Sequence, residues 1–217
     1  MLGLAFAAAA EPLRLLCLGA HPDDIEIGCG GSILRLAAAH PAMSVRWIVF
    51  SGNERRRQEA AAAARWFLGG VKDTVIEVLD FRDGFFPSQH AAIKESFERL
   101  KRDHRPSLVL THYREDLHQD HRLIAELTYN TFRDHLVWEY EVPKYDGDLG
   151  NPNLFLPLTA EQSRRKVAGL IEHFPSQQAR ASWFTAETFL ALLRLRGIGC
   201  NAPEGYAEAF YCRKAVV

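Results

Sequence analysis

Apolar and polar positions along this chain alternate between two periods. Short apolar runs rich in Val, Ile, Leu and Phe occupy residues 13–18, 45–50, 75–80 and 108–111. Runs of that length and composition read as buried strands. Longer stretches with helical spacing lie between them. Residues 54–68 are alanine-rich and stop at Gly69-Gly70, a helix C-terminal signal. Residues 89–102 place Ile93, Phe97 and Leu100 on one helical face, and residues 32–39 and 121–132 complete the set. Strands alternating with helices predict parallel pairing through right-handed crossovers. The expectation is a single Rossmann-like α/β domain, a mostly parallel sheet with helices on both faces.

Beyond Glu139 the pattern loosens. Residues 146–157 read as loop, 160–174 and 183–196 as helices, and 207–215 as a late strand. The chain divides into an N-terminal extension, 1–12, and a domain, 13–217. Its core runs to about residue 135, and the remainder, from about 136, supplies a substrate pocket. Within it, segments 140–157 and 180–205 carry no readable motif.

Composition narrows the class. The 217 residues suit one domain. A formal net charge of -1 does not advertise nucleic acid or an anionic membrane surface, although Arg55-Arg56-Arg57 is a local basic cluster. Four cysteines, Cys17, Cys29, Cys200 and Cys212, match no C-x-x-C pattern. With Cys17 inside an apolar run, they imply reduced thiols and a cytoplasmic chain. The opening MLGLAFAAAAEPL is apolar but lacks the positive charge that begins a secretory signal. No segment reaches the ~20 apolar residues of a membrane span.

The chemistry concentrates in two places. In LLCLGAHPDDIEIGCGG an apolar run ends in His21, Pro22, Asp23 and Asp24. A capping Asp before a helix would explain one carboxylate, but not its neighbour or the imidazole. Adjacent carboxylates repel unless a positive charge lies nearby, and a divalent metal supplies one. The second cluster is Asp116-Leu117-His118-Gln119-Asp120-His121. Read alone it is a solvated helix start, with His118 and His121 on one side. Both clusters follow predicted parallel strands, and ligands of such sheets bind beyond the carboxyl ends of the strands. One His and one Asp from the first cluster plus one His from the second make the donor set of a catalytic zinc, with a fourth position for water. A spare carboxylate beside it would take the water's proton.

A-H-P-D-D-x-E-x-G-C-G-G followed by D-x-H-x-D-H is similar to the PIG-L/LmbE family of zinc-dependent N-deacetylases. Gly52 to Arg57 with Glu59, Asp83-Gly84, Pro152-Asn153 through Lys166, Ser176-Gln177 and Ala207-Glu208-Ala209-Phe210 add weaker matches over most of the chain. The resemblance implies His21, Asp24 and His121 as zinc ligands and Asp23 as the general base. It implies His118 as the imidazolium that polarises the amide carbonyl and stabilises the oxyanion, with Asp120 orienting it. Arg57 and Asp83 would bind substrate. The implied reaction removes acetyl from an N-acetylglucosamine-type conjugate, giving acetate and a free amino sugar. Fe2+, Co2+ or Mn2+ would also suit the ligands. The implied partner is thus a small amino-sugar conjugate, not nucleic acid. The family often has Glu directly after the second Asp, where this chain has Ile25 with Glu26 next.

Other readings weigh less. Gly28-Cys29-Gly30-Gly31-Ser32 after a strand suggests a phosphate loop, but it lacks both the G-x-G-x-x-G spacing and the Walker lysine. A metal-dependent hydrolase of another amide or ester, or a non-catalytic sugar-binding protein, would share the fold. His112 is expected at the rim or in the core. His40, His90, His104, His135 and His173 are expected on the surface or satisfied, and the four tryptophans in the core or cleft wall.

Overall fold

The structure, a computed structural model, describes residues 12–216. The expected extension over 1–12 therefore falls almost wholly outside the described residues. The chain runs β1 (Arg14–Gly19), α1 (Asp24–Ala39), β2 (Ser44–Ser51), α2 (Glu54–Leu68), β3 (Asp73–Phe81), a 3-10 turn at Phe86–Gln89, α3 (His90–Asp103), β4 (Leu108–His112) and α4 (Gln119–Thr131). It continues with β5 (Leu136–Tyr140), β6 (Leu154–Leu158), α5 (Ala160–His173), the short α6 (Pro175–Gln178), α7 (Ala186–Cys200) and β7 (Tyr206–Tyr211).

One seven-stranded sheet has the order β3-β2-β1-β4-β5-β7-β6. The pairs from β3 through β5 are parallel, whereas β7 runs antiparallel to β5 and β6. This is the expected single α/β domain. Alternation along β1 feeds two cores. Leu15 and Cys17 join α1, α2, α5 and α7 on one face, and Leu16 and Leu18 join α3 and α4 on the other. Ile93, Phe97 and Leu100 all point into the second core. The strand order reverses between β1 and β4, so a crevice opens at their carboxyl ends. Both motifs leave the sheet there.

The differences from the sequence reading have physical causes. α1 begins at Asp24, not after the glycines, and bends at Cys29 (φ -145°, ψ 15°). The glycines are there for close packing. A Cβ on Gly28 would lie 2.1 Å from the Tyr140 ring, and one on Gly31 2.4 Å from Leu158. The bend frees two N–H groups, and Gly31 and Ser32 donate them to the Glu208 carboxylate at 2.8 and 2.6 Å. Lys166 Nζ binds Glu208 at 2.6 Å and the Ile27 carbonyl at 2.5 Å. The apparent phosphate loop is thus a helix segment whose anion is a side chain of β7. β5 is short and lies where the pattern loosens. β6 occupies the end of the expected loop and contains Pro157, which a sheet-edge strand tolerates. All four cysteines are free. No helix among the described residues is long and apolar enough to cross a membrane.

Candidate metal centre

His21 to Asp24 form the turn between β1 and α1. Asp23 holds a left-handed backbone (φ 99°), one of two such non-glycine residues among those described. Such strain persists only where the surroundings hold it. Asp23 stands at the N-cap position of α1, yet its side chain caps nothing. Instead its Oδ2 accepts from Arg56 Nη2 at 3.1 Å, and the same nitrogen binds the Pro22 carbonyl at 2.5 Å. The capping reading therefore fails for Asp23. Asp24 Oδ2 accepts the His21 backbone N–H at 2.6 Å, tying the turn closed.

Across the crevice, the loop after β4 and the start of α4 bring His121 to the same point. His21 Nδ1 lies 3.1 Å from His121 Nε2. Asp24 Oδ2 lies 3.4 Å from His21 Nδ1, and Asp24 Oδ1 lies 3.5 Å from His121 Nε2. Bonds of 2.0–2.1 Å to a tetrahedral metal put ligand atoms about 3.3–3.4 Å apart, and the side-chain groups that could hold an ion here are His21 with His118 and His121, Asp24 with His112 and His121, and His21 with Asp83 and Asp120. The remaining nitrogen of each imidazole faces a carboxylate. His121 Nδ1 is 2.9 Å from Asp116 Oδ2, and His21 Nε2 is 3.2 Å from Asp120 Oδ2 and 3.1 Å from Asp83 Oδ1. A carboxylate behind a metal-bound histidine fixes its tautomer.

The structure redistributes some expected roles. Asp120 is spoken for by His21 and by the backbone N–H groups of Gly84 (2.6 Å) and Phe86 (3.1 Å). It is the backbone N–H of Asp120, not its carboxylate, that meets His118 Nδ1, at 3.3 Å. The His118 ring stands 4.8 Å from that of His21 and 4.6 Å from that of His121. Asp83 is at the mouth, half-exposed and against His21. Arg57 lies apart from these contacts, its Cγ beside Gly52 and near Pro22. In the basic triplet Arg55 is exposed and pairs with Glu59, and only Arg56 is buried.

Three residues had no role in the chemistry read from the sequence, although His112 was expected at the rim or in the core and lies there. Asp116 belongs to the quoted motif but had no role there. It is buried and bonded to His121, to the His118 N–H and to Lys144 Nζ at 3.0 Å. Arg56 offered no sequence signal beyond lying next to Arg57. His112 closes the back of the site, fully buried, with its ring 3.9 Å from that of His121 and Nε2 3.2 Å from Asp24 Oδ2. At the position that departs from the family, Ile25 is core and Glu26 is fully buried with neither carboxylate oxygen bonded. Burial raises the Glu26 pKa well above the usual range.

Electrostatics separate the two adjacent carboxylates. Burial lifts Asp23 to about 7 against the pull of Arg56, with the Asp24 charge adding to the rise. Asp24 is also buried, but the charges of His121 and His112 hold it well below the usual range. Burial and the like charge of His112 push His121 down to about 4, leaving the neutral ring a metal needs. Burial and the His21 charge also lower His118. Burial opposes protonation of His21, but its bonds to Asp120, Asp24 and Asp83 outweigh it and raise its pKa.

Similarities to known proteins agree with this geometry. An uncharacterized deacetylase, YaiS, of Escherichia coli K12 is 29% identical over 178 residues, covering 77% of this chain and 94% of the relative. Among solved structures, the conserved protein TT1542 of Thermus thermophilus superposes with a TM-score of 0.72 at 24% identity over 94% of this chain and 96% of its own. The hydratase GalB of Pseudomonas putida KT2440 gives 0.71 at 18% over 94% and 98%. N,N'-diacetylchitobiose deacetylase of Pyrococcus horikoshii gives 0.64 at 20% over 92% and 83%. At these identities the structural likeness is one of fold, and it includes a hydratase. The family model described as PIG-L, GlcNAc-PI de-N-acetylase, matches residues 16–132, which carry both motifs, and the chain belongs to that family.

Proposed function

We propose that this chain is a zinc-dependent deacetylase that hydrolyses the N-acetyl group of an amino-sugar conjugate. The observation that carries the reading is the convergence of His21 Nδ1, His121 Nε2 and the two oxygens of the Asp24 carboxylate at 3.1–3.5 Å, with a second carboxylate, Asp23, next in the chain and bonded to Arg56. A divalent ion held by these residues would act as a Lewis acid and bring the pKa of water to about 7. Fe2+, Co2+ and Mn2+ fit the same donors.

The chain's own groups do the rest. Asp23, raised to about 7, takes the proton of the attacking water and returns it to the departing amine. His118 Nδ1 accepts the Asp120 N–H, so its Nε2 carries a proton in the neutral ring. It donates that N–H to the carbonyl oxygen as negative charge develops. Burial favours this neutral form over the imidazolium that the family resemblance implies. Asp83 faces the sugar hydroxyls at the mouth, and Arg57 remains a candidate for the substrate's polar end.

A hydrolase of another amide or ester is the second reading, because the same fold also houses the hydratase. Acetate release separates the two. Purified protein is expected to carry about one transition metal per chain, and His121→Ala to lose it. Asp23→Ala should keep the metal and lose most acetate release from N-acetylglucosaminides. A wild-type chain that neither holds nor takes up zinc would overturn the reading. Loss of metal from Asp23→Ala but not Asp24→Ala would reverse ligand and base.

A further inference from the structure

β3 is an outermost strand of the sheet, paired with β2 on one side. Among the described residues no strand pairs with its other side. Such an edge offers a row of backbone donors and acceptors to another strand, and proteins usually blunt it with lysine, proline or a bulge. β3 contains no lysine and no proline. Its pairing with β2 is regular from Asp73 to Val78 and shifts only beyond Val78. The two acidic side chains of that stretch, which would repel a neighbouring strand, are already neutralised. Asp73 pairs with Arg46 at 3.0 Å and Glu77 with Arg99 at 2.9 Å. Val75 is 45% exposed, and Ile76 and Val78 are only half-buried.

α2 packs on β2 and β3. A groove between the helix and the edge strand is lined by Glu54, Gln58, Ala61 and Arg65 of α2 and by Ile76 and Val78 of β3. The four helix residues repeat at intervals of three and four, so they share one face. That face carries opposite charges at its two ends. Glu54 accepts from Gln58 Nε2 at 2.7 Å, and Arg65 donates to the Ala61 carbonyl at 3.3 Å. Among the described residues no cation forms an ion pair with Glu54, and no carboxylate forms one with Arg65.

The helix face and the strand edge share a midpoint. Gln58 and Ala61 lie midway between Glu54 and Arg65, and they line the groove with Ile76, near the middle of the regular stretch of β3. One two-fold axis through the groove therefore serves both.

We propose that this edge is an interface between two copies of the chain, in which β3 pairs antiparallel with β3 of the other copy about a two-fold axis at Ile76. Thr74, Ile76 and Val78 of one copy then lie against Val78, Ile76 and Thr74 of the other, β-branched pairs of the kind that stabilise sheets. A strand spacing of about 4.8 Å brings the two α2 helices to about 10 Å, the distance of packed helices. In that antiparallel arrangement Glu54 of each copy faces Arg65 of the other, and Gln58 faces Ala61. The same patch serves both copies, as a two-fold contact requires. A strand edge alone is a small interface, and the α2 face enlarges it. An extended peptide could add to the edge, but the opposite charges at the ends of α2 match an antiparallel copy at both ends.

Analytical ultracentrifugation of the full-length protein tests this, with circular dichroism confirming that each variant keeps the fold. Wild type is expected to hold an even number of chains. Val75→Lys, which sets a charge on the edge, is expected to halve that number at the same concentration. Arg65→Glu opposes like charges at both ends of the paired helices and should raise the dissociation constant of that step on the order of tenfold to a hundredfold. Adding Glu54→Arg to Arg65→Glu restores opposite charges across the axis and should return the constant towards wild type. Within a single chain the same exchange opposes the helix dipole at both ends, so a role confined to one chain predicts a double variant worse than either single one. A monomeric wild type at high micromolar concentration would overturn the proposal, as would an odd-numbered assembly or one indifferent to Val75→Lys. A double variant that dissociates further than Arg65→Glu would overturn it too.

Discussion

Asp120 Oδ2 sits 3.2 Å from His21 Nε2, so the carboxylate expected to orient His118 instead backs a proposed metal ligand. Two loops are joined by this contact, because Asp120 also accepts the N–H groups of Gly84 and Phe86. Asp120→Asn should therefore weaken metal binding about 10- to 100-fold, the usual cost of losing a carboxylate behind a ligand histidine. Competition against a chromophoric chelator measures it. If Asp120 served His118 alone, kcat would fall with metal affinity unchanged.

Asp116 holds His121 in the same way, at 2.9 Å, and is itself held by Lys144. Asp116→Asn is expected to cost metal affinity by a similar factor. An additive loss in the Asp116→Asn, Asp120→Asn pair would show that the two ligands are oriented independently. A double variant no worse than either single one would argue against separate roles.

How far the sequence disclosed this site depended on the kind of signal each part left. The parallel half was legible because the inner strands β1, β2 and β4 are short apolar runs and the helices between them repeat at 3.6 residues, whereas β3, also expected to be buried, is an only partly covered edge strand. His21, Asp24 and His121 could be proposed as ligands because metal-binding side chains are few chemical types at fixed places in the topology, and the structure brings all three to one point. β5 and β6 were not legible. β5 is five residues long, and β6 is an edge strand containing a proline. The start of α1 was hidden because its glycines, which read as a loop, serve close packing on Tyr140, Phe67 and Leu158. Arg56 could not be told from Arg55 and Arg57 by type, since only the helix's orientation decides which one is buried.

Arg56 gives the next expectation. It is buried and is the hydrogen-bonding cation on Asp23. Arg56→Gln would leave that carboxylate buried beside Asp24 with its main counter-charge gone, a loss on the order of 3 kcal/mol for a broken buried pair. Both the melting temperature and kcat should fall. Arg57→Gln should leave the melting temperature nearly unchanged and act on KM if it acts at all. A larger thermal loss from Arg57→Gln would contradict the placement.

Gly28 tests the packing of α1 on the sheet. A Cβ there would meet the Tyr140 ring at 2.1 Å, and that ring is pinned by its hydroxyl, which donates to the Leu18 carbonyl at 2.6 Å. Gly28→Ala is expected to destabilise by about 3 kcal/mol, at the upper end for overpacking. Gly70→Ala, where a Cβ meets nothing within 4 Å, is the control. Urea unfolding of the two variants decides it, and a small loss at Gly28 would mean that the helix can shift away from β5.

His104 lies in the C-terminal cap of α3, and it is expected to govern a pH effect on stability. It was expected on the surface or satisfied, but it is buried, and its Nε2 has no partner. Burial and the nearby charges of Arg46 and Arg14 press its pKa down to about 4. The unfolded chain binds a proton at about 6.5, so the folded state holds fewer protons between the two values. The contribution of neutral His104 is complete above pH 6.5 and is lost progressively as the pH falls towards 4. The full difference is worth at most about 3 kcal/mol, and screening by solvent close to the helix end brings it to roughly 1–2 kcal/mol. His104→Gln removes this titration and should flatten the acid limb of unfolding free energy relative to wild type. Curves that stay parallel from pH 7 to pH 4.5 would show that His104 is solvated in the folded protein.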